Sequence, residues 1–242
     1  MYKINTNTIF NPIDQSYLGG KIPINSLDDW PIDPLNKRPM TPLLTLHQDI
    51  FFIPTIPEGM ALTVFLSLNN IDSIRNYRNY RNYRNYRNYR INRINNIAFS
   101  DTMEYKSREI IKSKVLLYPV GALKIHPESI ELPSIGIERV RAEKEEEEKD
   151  QEDEINGVIC SKIGGRAGWL QDSIYPSPKH LFFLQIMESD LVRLDQKFNG
   201  IFEDGAGYLF IDMGMRKKPS WQYQVNSLFS TRNLAVTSRA IA

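Results

Sequence analysis

Lys162-Ile163-Gly164-Gly165, then Trp169-Leu170-Gln171, then Leu181-Phe182-Phe183-Leu184-Gln185-Ile186 form an ordered series that decides how this chain is built. It closes on Gly205-Ala206-Gly207-Tyr208-Leu209-Phe210-Ile211, a glycine turn running into a strand-like stretch. The same series appears earlier in looser form: Gly19-Gly20-Lys21-Ile22-Pro23, Trp30-Pro31, Leu43-Leu44-Thr45-Leu46-His47-Gln48, then Pro57-Glu58-Gly59 and Met60-Ala61-Leu62-Thr63-Val64-Phe65. Order and character match while the spacings differ. The reading is an internal duplication, and it bears on every later inference about the fold.

Working outward, Met60 to Leu68 alternates with Met60, Leu62, Val64, Leu66 and Leu68 on one face, which is strand periodicity. Leu43 to Ile53 is apolar and bounded by prolines, so a buried strand is expected. Val115 to Val120 reads as a strand, and Tyr208 to Asp212 repeats the strand-after-glycine pattern. Leu191, Leu194 and Phe198 fall at helical spacing within Ser189 to Phe198. Pro12 to Pro42 is dense in proline, which favours irregular backbone. The expected fold is strand-dominated α+β: two related halves sharing one core, with a charged insertion between them. The first repeat spans residues 1–70, a connecting region 71–157, and the second repeat 158–242.

Two biased segments lie in that connecting region. Residues 75–93 place arginine at every third position from Arg75 to Arg93, with five Asn-Tyr-Arg triplets from Asn76 to Arg90. Three residues advance a helix by about 300°, so no face of such a helix stays apolar, and a strand would alternate the arginines. The tract is expected outside the core, as a product of repeat expansion. Glu143 to Glu154 holds nine acids against two lysines, and reads as an acidic linker.

The 242 residues carry a formal net charge of +1, which argues against a wholly cationic nucleic-acid binder. The lone cysteine, Cys160, excludes an intrachain disulfide and a cysteine-based zinc cluster. It sits in an apolar stretch with no basic partner and reads as buried and inert. The N-terminus lacks the apolar core of a signal peptide, and no window reaches the 18 or so apolar residues of a membrane helix, so a cytoplasmic protein without membrane contact is expected. His47, His126 and His180 show no metal-ligand spacing, and neither metal nor cofactor is expected.

Gly19, Gly20, Gly164 and Gly165 are read as turns needing positive φ or close backbone approach; no Gly-Lys-Ser/Thr follows to make a phosphate loop. Trp30 and Trp169 read as core anchors. Gln48 and Gln185 end apolar runs, where a buried amide must find partners. Trp30, Gln48, Trp169, Gln171 and Gln185 are the candidate ligand- or partner-binding residues; no set of side chains converges on acid–base or nucleophilic catalysis.

Ser161 to Gly165, Trp169-Leu170-Gln171, Leu181 to Ile186 and Gly207-Tyr208-Leu209-Phe210 resemble the signature of the YwqG-like family, a bacterial domain family of unknown function. The resemblance covers both halves as a single domain over residues 1–242, and is specific in the second. It departs where the family usually has proline after the second glycine pair and this chain has Arg166-Ala167-Gly168. The resemblance implies a two-repeat α+β fold and transfers no catalytic residues. Relatives often lie near bacterial toxin systems, which implies an immunity or antitoxin protein that binds and occludes a toxin. The alternatives are a small-molecule or enzymatic site between the repeats, and nucleic-acid binding through Arg75–Arg93.

Overall fold

A computed structural model describes residues 1–33, 37–50, 56–68, 113–170, 180–202, 205–212 and 225–230. The Asn-Tyr-Arg tract and Gln171 lie outside the described residues, and so does all of the connecting region before Ser113.

The strands are β1 (Tyr2–Asn7), β2 (Tyr17–Leu18), β3 (Ile22–Pro23), β4 (Thr41–Leu46), β5 (Met60–Leu66), β6 (Ser113–Pro119), β7 (Leu123–Lys124), β8 (Ile135–Arg141), β9 (Lys162–Ile163), β10 (His180–Met187), β11 (Ala206–Asp212) and β12 (Val225–Ser230). Two α-helices are present among the described residues, α1 (Lys144–Glu152) and α2 (Glu188–Leu194). The protein is therefore strand-dominated.

Ten strands form one curled antiparallel sheet in the order β12-β11-β10-β9-β1-β8-β2-β4-β5-β6, and β3 pairs with β7 apart from it. The outermost strands, β6 and β12, curl round until their Cα atoms come within 8 Å of each other. At the centre β1 and β8 pair along their length, Tyr2 opposite Arg141 through Asn7 opposite Gly136. In β1, Tyr2, Ile4 and Thr6 are half-buried and the residues between them exposed, the period of two that a one-sided strand requires.

Each side of this pair carries the same sequence of strands: a two-residue strand, two long strands joined antiparallel, then an edge. Both first long strands contain a bulge, between Pro42 and Leu44 in β4 and between Phe182 and Leu184 in β10. In β4 the bulge accommodates Pro42, which has no N–H to give a ladder. After each two-residue strand a glycine donates across to the bulge residue, Gly19 N–H to the Leu43 carbonyl at 2.8 Å and Gly164 N–H to the Phe183 carbonyl at 2.7 Å.

One buried apolar cluster runs through both sides, joining Leu18, Leu44 and Val64 to Ile163, Leu184 and Leu209. Strand β5 is buried on both faces. Leu62, Val64 and Leu66 face that cluster, while Ala61 and Phe65 join Trp30, Met40 and Tyr118 in a second one. Ala167, Trp169, Ala206, Tyr208 and Phe210 make a third.

Several expectations are corrected. The strand expected over Leu43 to Ile53 ends at Leu46, where a 3₁₀ turn over Gln48–Ile50 begins. The helix expected over Ser189 to Phe198 divides into α2 and a 3₁₀ turn, Gln196–Phe198, because Asp195 adopts an extended backbone and caps the turn through the Lys197 N–H. The acidic segment expected as a linker folds for the most part as helix α1.

Candidate functional site

Helix α1 is Lys-Glu-Glu-Glu-Glu-Lys-Asp-Gln-Glu and contains no apolar residue, so burial of an apolar face does not hold it. Its inward acids find cations instead. Glu147 accepts from the Met1 amine at 3.1 Å, and Glu146 pairs with Lys3 at 2.5 Å. Asp150 meets Lys162, both side chains being essentially inaccessible to solvent. Burying two charges costs several kcal/mol per ion unless the remaining lone pairs are satisfied. Asp150 meets that condition, accepting also from the Val158 and Arg166 N–H groups at 2.9 Å each.

The glycine loop is shaped around this carboxylate. Gly165 has φ +76°, and a Cβ there would fall on Asp150 Oδ2. Gly157 would put a Cβ on Asp150 and on Lys162 Nζ. Arg166 completes the junction by donating to the Gln151 carbonyl at 2.9 Å and to the Asp153 carbonyl, groups at the end of the helix that lack an intrahelical partner. Proline at position 166 would remove the N–H that Asp150 receives. At the other end, the Glu146 carboxylate accepts from the Glu143 N–H at 3.1 Å. Three acids in the first turn complement the helix dipole. Lys3 stands above its ordinary pKa and Glu146 below, each chiefly because of their mutual hydrogen bond.

The outward face is different. Glu145, Glu148 and Glu152 are exposed and lie three and four residues apart, one stripe of a helix. Asp153 and Glu154 extend it. Lys144 reaches Glu148 at 3.5 Å, an exposed pair of small worth.

Beside this helix lies a groove of about 570 Å³. Strand β9 is only two residues long and pairs with β1 at Tyr2 and Lys3, leaving the remaining edge of β1 without it. Ile4 and Thr6 of β1, Ser161 ahead of β9 and Ile186 of β10 line the groove at that gap, with Leu191 of α2. Ser161 is held there by Asp190, which accepts from its hydroxyl at 2.6 Å, while its Oγ accepts from the Met187 N–H at 2.9 Å. Ser16 repeats the arrangement with Asp49 and the His47 N–H, at 2.6 and 2.9 Å. A serine three residues ahead of each glycine pair was the available signal for both. Cys160 lines the same groove, and burial raises its thiol pKa, keeping it in the thiol form.

The structure separates the candidate binding residues. Trp30 donates to the Met40 carbonyl at 2.8 Å and meets Phe65 edge-on at 5.4 Å. Trp169 stacks on Tyr208 at 4.8 Å and on Phe210 at 5.9 Å, in the separate third cluster. Tyr208 donates to the Gly168 carbonyl, and Gln185 accepts from the Gly168 N–H at 2.7 Å. Gln185 and Tyr208 thus hold the loop that carries Trp169. Gln48 is exposed on its 3₁₀ turn and joins neither group, because the chain leaves β4 before reaching it.

Gly19 and Gly20 have φ of +57° and +69°, and Gly164 and Gly165 of +66° and +76°. Among the described residues no group of three or more His, Cys, Asp or Glu is placed to hold a metal, and no helix is long and apolar enough to cross a membrane. No protein-family model matches the chain, and no curated protein matches it.

Proposed function

We propose that this is a non-enzymatic binding protein whose partner is a cationic protein, docked on the exposed acidic stripe of helix α1. The observation that carries the reading is the division of labour on that helix. Glu146, Glu147 and Asp150 are spent on holding it, which leaves Glu145, Glu148 and Glu152 at fixed positions in solvent. A preset field of one sign speeds encounter with an oppositely charged partner more than it deepens affinity. With the resemblance to the YwqG-like family, the partner fits a toxin occluded by a cytoplasmic immunity protein.

The test is kinetic. A purified cationic toxin encoded beside this gene should associate at a rate that falls with salt, and E145Q/E148Q/E152Q should slow association by about tenfold with little change in dissociation. Unchanged association with the triple variant, or no complex with any neighbouring gene product, refutes the reading.

The duplication belongs to the same proposal. It is supported by the matched bulges, the Ser16 and Ser161 clasps, and the placement of Trp30 against Phe65 and Trp169 against Phe210. A superposition that aligns the glycine pairs only by slipping a strand register would remove it. A second reading, a small-molecule site, is favoured by the groove between β1, β10 and α2.

A further inference from the structure

We propose that this groove binds one carboxylate-headed aliphatic chain, its methylenes against Ile4, Ile186 and Leu191 and its head group at Lys149. The inference rests on the groove being a small-molecule site and adds the ligand's class. The volume of about 570 Å³ falls within the usual 300–1,000 Å³ of such sites. Leu18, Ile137, Ile186 and Leu191 are almost wholly withdrawn from bulk solvent yet border the space, so its floor suits an apolar body.

The head group is decided by how the charges at the groove are already committed. Both carboxylates are engaged: Glu146 by Lys3 at 2.5 Å, and Asp190 by the Ser161 hydroxyl at 2.6 Å and by Arg193 at 3.3 Å. Lys149 also borders the groove; it is close enough to Glu146 to help hold that carboxylate ionised, yet among the described residues no carboxylate lies within ion-pair distance of it. An incoming anion therefore meets an ammonium with no direct ion pair to break, and a charge-assisted hydrogen bond results. An incoming cation meets only acids already paired.

The probes are octanoate, decanoate, decanol and decyltrimethylammonium, titrated into the full chain below their aggregation concentrations. Methyl NMR shifts of Ile4, Ile186 and Leu191 locate the site. Decanoate should bind one to one and shift those methyls, and it should bind about 15-fold more tightly than octanoate, from two further buried methylenes. Lys149→Gln should weaken decanoate about fivefold and leave decanol unchanged. Decanol or decyltrimethylammonium binding as tightly as decanoate would overturn the anionic class while leaving a small-molecule site. No binding by any probe, or shifts confined to other methyls, would overturn the site as well.

Discussion

The two glycine-pair corners, Ser16 to Gly20 and Ser161 to Gly165, both carry a serine clasp and two positive-φ glycines but differ in interior chemistry. In the first, the buried Tyr17 hydroxyl donates to the Lys21 carbonyl at 2.7 Å, a neutral bond that needs no charged partner. In the second, the residue at the same place is Lys162, whose buried ammonium needs Asp150 from a helix twelve residues earlier. Both corners borrow an acid to clasp their serine, Asp49 and Asp190, but only the second must also import a partner for a buried charge, and the acidic helix comes with it. The surface proposed to bind lies where the side chains differ.

The largest effect that could break this comparison comes from Asp150→Ala. It strands a buried ammonium, and urea unfolding should show a loss of about 3–5 kcal/mol. Tyr17→Phe removes one neutral hydrogen bond and should lose about 1 kcal/mol. Lys162→Met with Asp150→Leu should recover only part of the first loss: the stranded ammonium is gone, but the Val158 and Arg166 N–H groups lose their acceptor. Equal losses for Asp150→Ala and Tyr17→Phe would erase the asymmetry.

Glycine substitutions sharpen the same point. Gly59 and Gly165 both have positive φ, +74° and +76°, and alanine at either costs about 1–2 kcal/mol for the left-handed backbone. Around Gly59 there is open space, whereas a Cβ at Gly165 falls on the Asp150 carboxylate. Thermal unfolding should therefore place Gly165→Ala below Gly59→Ala by about 1–3 kcal/mol. Similar midpoints would mean that the second corner is looser than described.

The acidity response should be the smallest difference. His47 begins the turn after β4, where Met187 stands at the end of β10. Burial lowers the His47 pKa, outweighing the nearby Asp49 and Asp14 that would raise it. The unfolded chain then binds the proton more readily than the folded one. The neutral-imidazole contribution is complete above the unfolded value of about 6.5 and is lost below it, as pH falls through the lower folded pKa. His47→Met should flatten the pH dependence of stability between pH 7 and 5 relative to the parent. An identical slope in both would show that His47 does not titrate against folding.

How much of this could be read from residues alone varies with the range of the forces. The alternation of Met60 to Leu66 reports β5 directly, since a strand's inward positions recur every two residues whatever surrounds it. The glycine pairs were legible because four positive-φ positions leave few other residue choices. Strand β1 alternates in the same way, Tyr2, Ile4 and Thr6 against Lys3, Asn5 and Asn7, but its six residues beside a chain end made a weak local signal. Helix α1 was illegible: with no apolar residue, it depends on Met1, Lys3 and Lys162, and the first two lie more than a hundred residues back along the chain. The groove was hidden for the same reason, since it exists only where the short β9 stops against β1.

Native-state hydrogen exchange over Lys144 to Glu152 is the direct test of the central claim that ion pairing folds the acidic segment into a fixed surface. Amides from Glu147 to Glu152, past the first turn, should be protected in the parent and exchange near the rate of an unstructured peptide in Asp150→Ala, while β4 and β5 keep their protection. Unstructured-peptide rates for those amides in the parent would contradict it.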